Sequence, residues 1–257
     1  MMPVNKSVPA IGMPRRRIVG AYLQEARSEC LRYLRAPGFM LPMLLFSTVF
    51  YLMFGVLLNH GEASRYLLAS YSAFGIIGPG LFGFGVSLAI ERDGGLLTLK
   101  RALPMPPGAY LLGKMAMAMV AATIVTVLLL LIGVFLAHVV LSWGQMLALL
   151  LTGMFGVLPF CALGMFVGTL IKGQGAPGLL NLVYLPMAFL SGLWLPLSML
   201  PRELQQIAPI WPSYHLNQLT QAAVGLNKGP LLGHVLALIG FAVGFVWLAA
   251  RRLRRHG

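Results

Sequence analysis

Carboxylates are nearly missing from this sequence: 6 of its 257 residues are Asp or Glu, and none lies in the middle of a long apolar run. An ion-coupled carrier, or a hydrolase working inside a membrane, needs ionisable groups gathered at depth, where each is costly and therefore usually functional. Both classes are disfavoured. Cysteine is scarcer still. Cys30 and Cys161 stand apart, with no neighbour at metal-ligand spacing, so neither a disulfide nor a metal site is expected. Charge of either sign is rare, at 10% of residues, whereas a soluble domain carries about 25%. With 58% of residues apolar, such a chain cannot hide its apolar surface behind a water-facing shell. Most of it must face lipid.

What charge there is, is basic: 19 Lys or Arg give a net charge of +13. Arg15, Arg16, Arg17, Arg27, Arg32 and Arg35 precede the first apolar run, and Arg251, Arg252, Arg254 and Arg255 follow the last. Basic clusters flanking apolar spans are the positive-inside pattern and not the footprint of a nucleic-acid binder. No cleavable signal peptide is expected, because the first 36 residues hold no apolar core of the required length; the first span would itself be the targeting signal.

Residues 1–17 read as a disordered basic lead. Over 18–36 an amphipathic helix is expected in the membrane interface. Ile18, Val19, Tyr22, Leu23, Ala26, Cys30, Tyr33 and Leu34 share one face, Arg27, Glu29, Arg32 and Arg35 the other, and Pro37-Gly38 ends it. A bilayer core of about 30 Å needs about 20 helical residues. Residues 39–250 then divide into six spans: Phe39 to Leu58, Tyr66 to Ile90, Tyr110 to Ala137, Met146 to Ile171, Pro177 to Leu195 and Pro230 to Ala250. The uncharged run from Met115 to Ile171 is too long for one crossing and must turn at His138 to Gln145, where Ser142 and Gly144 break it. Glycines between Gly75 and Gly85, with Pro79, predict a kinked and closely packed second span, and Gly164 with Gly168 form a GxxxG in the fourth. Residues 251–257 form a basic tail. Six spans bring both ends to one side, and that side then holds every Lys and Arg except Arg65, Arg202 and Lys228. This asymmetry predicts that it is cytoplasmic.

Two strings imitate nucleotide-binding motifs. Gly108 to Lys114 has the glycine-to-lysine spacing of a phosphate loop, but Met115 stands where magnesium would need Ser or Thr, and the string opens a membrane span. Leu141 to Gln145, LSWGQ, resembles an ABC ATPase signature with Trp in place of Gly, on the wrong side for ATP. The chain binds no nucleotide of its own. Ser191 lacks the preceding glycine of an intramembrane serine protease, and His138, His215 and His234, near span ends, read as packing residues.

Two polar stretches remain. Between spans 2 and 3, Glu91 to Gly108 forms a charged island with Leu96, Leu99 and Leu103 on one helical face and Lys100 and Arg101 on another. Asp93 would cap its start and Pro104 stop it. As pattern, it is either an interfacial anchor or a docking helix. Between spans 5 and 6, residues 196 to 225 predict two short helices at one membrane face, one opening with Pro201 and one capped by Ser213, parted by Pro209 and Pro212.

Both stretches resemble the type-2 ABC exporter permeases. The cytoplasmic loop of that family is matched by Glu91, Arg92, Gly95, Leu99, Leu103, Pro104, Gly113 and Lys114, with Gly94-Gly95 where the family more often has one glycine. Its fifth-span exit is matched by Ser191, Gly192, Pro196, Pro201, Leu204, Pro209, Pro212 and Tyr214. The resemblance implies an all-α integral membrane subunit of an exporter, with ATP and magnesium held by a separate ATPase and no cofactor in this chain. It implies pairing with a second copy or a paralogous permease. Glu91, Arg92, Gly95, Leu96, Leu99, Leu103 and Pro104 would couple to the ATPase. Pro196, Pro201, Leu204, Pro209, Pro212 and Tyr214 would gate the outer exit, and Phe46, Phe50, Phe54, Asn181 and Tyr184 would line the conduit. Drug-like molecules, lipid-linked glycans and peptides stay open as cargo. A scaffold that binds a partner without transport, or a membrane enzyme turning over alone, is the alternative.

Overall fold

The computed structural model describes residues 15–96, 99–100, 106 and 108–256. Leu103, Pro104 and the lead up to residue 14 lie outside the described residues. Helix α1 (Arg15–Leu34) gives way at once to α2 (Pro37–Phe50), whose Pro37 sits in the first turn, where a missing amide costs nothing. With the π-helical stretch Tyr51–Leu57, α2 makes the first span. The second span is one rod built from α3 (Glu62–Gly78), a π-helical stretch Pro79–Phe84 and α4 (Gly85–Asp93). Pro79 cannot continue the i→i−4 ladder, and the wider π turns absorb the break. This rod is the buried post around which the other spans stand.

The glycine run explains why. A Cβ on Gly164 would fall 2.7 Å from the Leu81 carbonyl oxygen, and one on Gly168 would fall 2.7 Å from that of Gly85. The fourth span therefore meets the second backbone to backbone, and the GxxxG spacing is its contact face. That span consists of α6 (Trp143–Gly156) and α7 (Leu158–Gly168), following α5 (Ala109–Phe135). His138, at φ 51, lies in the turn between α5 and α6. The LSWGQ string is a helix start. Ser142 Oγ accepts from the Gln145 amide at 3.3 Å while Gln145 Oε1 accepts from the Ser142 amide at 2.9 Å, a reciprocal capping box.

Among the described residues, five helices are long and apolar enough to cross a membrane. The expected fifth span, α8 (Ala176–Leu190), has 15 residues, about 22 Å of helix against a core of about 30 Å. It still runs from one end of the bundle to the other. The Gly173 amide just before it bonds Asp93 at 2.6 Å, and Gly192 just after it bonds Tyr66 at the far end of the post. Gly192, at φ 74, turns the chain out of the helix early, and a non-helical stretch completes the path.

After α9 (Arg202–Ile207), helix α10 (Pro212–Ala223) departs from expectation. It wedges between the second, fourth and last spans instead of lying on the surface. Ser213 does not cap it. Pro212 is its first residue, and the Ser213 hydroxyl is buried against Ser191 Oγ at 2.5 Å and the Met187 carbonyl at 3.2 Å. Pro201 is the residue before α9 and not its first. Polar side chains let α10 enter because they satisfy one another. Asn217 donates to the Ser191 and Gly192 carbonyls at 3.3 and 3.2 Å and accepts from Ser70 at 3.3 Å. The last helix, α11 (Leu232–His256), packs on α7 and α10, and its backbone stays helical through the basic tail.

Candidate functional site

The charged island begins where the central post ends, and three consecutive residues tie it down in three directions. Glu91 is 7% exposed and turns into the bundle. Arg92 reaches across to the end of the fourth span, donating to the carbonyls of Gly168 at 3.2 Å, Thr169 at 2.9 Å and Ile171 at 2.7 Å. It thereby satisfies acceptors that a helix end leaves without intrahelical partners. Asp93 Oδ2 accepts from the Gly173 amide at 2.6 Å, so this carboxylate holds the turn before α8 and does not cap the loop helix as expected. Gly95, at φ 73, then swings the chain away, a conformation that explains glycine at this position.

Glu91 opens onto an ionic cluster made by three helices, buried except at Arg32, whose side chain is about half exposed. From α5, Lys114, wholly shielded from solvent, donates to Glu91 Oε1 at 3.0 Å, Glu29 Oε2 at 3.3 Å and Ser87 Oγ at 2.9 Å. These three bonds use all three of its N–H donors. Glu91 also accepts from the Tyr110 hydroxyl at 2.6 Å and from Arg32 at 2.5 Å, and Arg32 bridges back to Glu29 at 2.5 Å. Lys100, from the loop itself, pairs with Glu25 and with Glu29 at 3.4 Å and lies over the Tyr110 ring, 4.5 Å from its centre. Three carboxylates, Glu25, Glu29 and Glu91, face three cations, Arg32, Lys100 and Lys114. The formal charge is zero. Burying ions singly costs several kcal/mol each, so only a matched set of this kind is tolerable, and it specifies geometry more than it adds stability.

Sequence reasoning missed most of this cluster. Glu29 was expected on the solvated face of α1, and it is 3% exposed because Lys114 sits opposite. The signal was there as spacing: Glu25, Glu29 and Arg32, Ser87 and Glu91, Tyr110 and Lys114 each line one helical face at i, i+3 or i+4. Nothing in the pattern said that the three faces meet. The glycines of the Gly108 to Lys114 string are packing positions. Gly113 is small because a Cβ would press on Glu25 of α1 at 2.9 Å, and Gly108 sits against the Tyr22 hydroxyl.

The loop residues expected to couple thus divide into two sets. Glu91 and Arg92 belong to the internal frame. Leu96 and Leu99 are helical, the Leu99 amide bonding the Gly95 carbonyl at 3.2 Å, and the Leu99 side chain is 65% exposed. Lys100, expected away from the leucines, is the staple to α1. Leu99 is thus an exposed leucine on a short helical stretch whose Lys100 is held against α1.

At the opposite end, Pro196 and Pro201 flank a short 3-10 turn, Leu204 lies on α9, and the Pro209 carbonyl receives His215 of α10. Pro212 is buried, and Tyr214 stands edge-on to His215 and His234 at ring separations of 5.4 and 5.9 Å. Of the expected lining residues, Phe46, Asn181 and Tyr184 border one cleft of about 260 Å³, whereas Phe50 and Phe54 border a second with Pro196 and Trp194. Phe74 and Trp194, 5.8 Å apart between ring centres, join the two. Tyr184 is tied inward through its hydroxyl to the Phe74 carbonyl at 3.0 Å.

Comparison with known proteins places these features in a family context. The family model described as ABC-2 type transporter matches residues 22–224. A Bacillus subtilis (strain 168) protein named as a candidate transport permease, YvfS, is 28% identical over 239 residues, covering 90% of this chain and 96% of its own.

Proposed function

This chain belongs to the ABC-2 type transporter family and is the membrane subunit of an ABC transporter, and from that premise we propose that it exports a hydrophobic or amphiphilic compound. Two copies, or one copy and a paralogous permease, form the conduit in a bacterial inner membrane, with both termini cytoplasmic. ATP and magnesium belong to a separate ATPase subunit, which docks against α1 and the loop leucines Leu96, Leu99 and Leu103. Drug-like molecules come first among cargoes, since the two clefts are lined mostly by aromatic and aliphatic side chains, with Asn181 in one, Asn59 in the other and no charged group.

One observation carries the coupling role: Leu99 is exposed on a loop whose base is locked into α1 and the second, third and fourth spans. A force applied at Leu99 has a stiff path into the spans. Glu91 and Arg92 transmit it and do not touch the ATPase.

The Leu99→Asp, Leu103→Asp double substitution should leave the subunit folded, because Leu99 contributes little buried area. Co-purified ATPase should fall by about tenfold or more, the equivalent of about 1.4 kcal/mol. Full retention of partner and of ATP hydrolysis in lipid would remove the loop from the interface and favour a scaffold.

A further inference from the structure

Two of the chain's five histidines meet head-on at the end of the bundle opposite the charged loop. His215 stands in the first turns of α10 and His234 in the first turn of α11, with Nδ1 to Nδ1 at 2.9 Å and ring centres 5.2 Å apart. The second nitrogen of His215, Nε2, lies 3.0 Å from the Pro209 carbonyl. A carbonyl only accepts, so that nitrogen carries the proton and the neutral His215 presents a bare Nδ1; His234 must then be the donor. This is a hydrogen bond and not a collapsed chelate. A tetrahedral ion with bonds of about 2.0–2.1 Å would part the nitrogens further and draw both lone pairs off the line between them.

The geometry points to a proton-operated latch: the pair fastens α10 to the last helix while it holds at most one extra proton, and releases it when both rings are charged. The first proton enters at the free Nε2 of His234 and makes its Nδ1–H a stronger donor, so the bond survives. The second has only the acceptor, Nδ1 of His215, to go to. That proton removes the bond and sets two cations about 3 Å apart. Burial holds the His215 imidazole below its ordinary 6.5, although the Pro209 carbonyl pulls the other way. The link is therefore complete above that value and is lost as the pH falls below it.

Among the described residues neither ring forms an ion pair, and Tyr214 is the titratable side chain in ring contact with both, while the Phe241 ring lies 6.2 Å from that of His215. On α3, Arg65 lies against Gly225, beyond the far end of α10, and Tyr66 bonds Gly192. Tyr184 of α8 is committed to Phe74, α6 carries no ionisable group, and Arg202, Glu203 and Lys228 are exposed. On the topology proposed above, this end faces outward, where the surroundings of a cell turn acid. The latch itself can be tested without the ATPase or any cargo.

The experiment is a pH titration of ¹⁵N-histidine-labelled protein in lipid nanodiscs. His215 and His234 should titrate in two steps separated by more than about one pH unit, the lower below about 6.5. Substituting His234→Asn should collapse the His215 curve to one step, with the His60 and His138 signals reporting an intact fold. Independent single steps near about 6.5 for both rings, or a His215 curve unmoved by His234→Asn, would overturn the pairing. Spin labels at Gln218→Cys and Leu236→Cys, in a Cys30→Ser, Cys161→Ala background, read the release. Their distance distribution should broaden about twofold between about pH 7.5 and 5 and should not respond in His215→Gln. A wild-type width that ignores pH would overturn the latch.

Discussion

Lys114→Met should strip the protein of about 3–5 kcal/mol, the usual loss when one partner leaves a buried ion pair and strands the other. Glu29 and Glu91 would stay inside with one cation too few, and Ser87 would lose its donor. At about 2–4 °C per kcal/mol for a chain of this size, the apparent unfolding midpoint of the purified subunit should drop by about 10 °C. Trypsin should then cut at Arg27 of α1, since α1 is seated on α5 through this cluster. The decisive comparison is the double variant Lys114→Met, Glu91→Gln, which removes one charge of each sign. It should recover at least about half of the lost stability, because neutrality returns. A single variant as stable as wild type would mean that the cluster is wet in solution and that the loop is not rigidly seated.

A second large effect is expected at Gly164, for a different reason. Its missing side chain is occupied by main-chain atoms, the carbonyl oxygens of Leu81 at 2.7 Å and Gly80 at 2.9 Å from where a Cβ would stand. Side chains can turn aside, but the backbone of a buried span cannot. Gly164→Val should push the second and fourth spans apart at a cost of about 3 kcal/mol or more, at the upper end for overpacking, and cut the monodisperse yield in detergent several-fold. Gly178 and Gly240 serve as internal controls, with nothing within 4 Å of where a methyl would stand. Alanine at either should shift stability by no more than about 0.5 kcal/mol. Equal behaviour of Gly164→Val and Gly178→Ala would refute the backbone contact.

Lengths and breaks were legible in the sequence because lipid imposes them. A bilayer demands a fixed run of apolar helix, and turns between spans need local signals such as Ser142 and Gln145, whose bonds are three residues apart. The close packing of the second span was legible for the same kind of reason, since glycine where a Cβ has no room leaves a mark in composition, but that its partner would be the fourth span was not. What stayed hidden was pairing at distance. Ser213 looked like a helix cap because Ser before a polar run usually is one, and only the arrival of Ser191 shows its hydroxyl to be an internal bond. The early stop of α8 rests on the left-handed turn at Gly192, which as a letter resembles any other glycine. In the site, a helical face carrying Leu96 and Leu99 could be read from periodicity, but the exposure of Leu99 and the roles of Glu29, Lys100 and Lys114 could not. A stripe of charge on a helix is ordinarily a solvated face, and three such stripes become one seat only when packing brings them together.

The ionic seat also fixes a sequence of events in synthesis. Glu29 and Lys114 are 85 residues apart, so at about 5–20 residues per second α1 leaves the ribosome many seconds before its counter-charge is made. Until Lys100 follows late in that interval, its carboxylates have only water and neighbouring arginines to answer them, and the seat cannot close until the third span threads in. A nascent chain halted before Lys114 should therefore leave α1 open to protease, and one halted after the third span has inserted should not. Helix α1 would be made early and seated late.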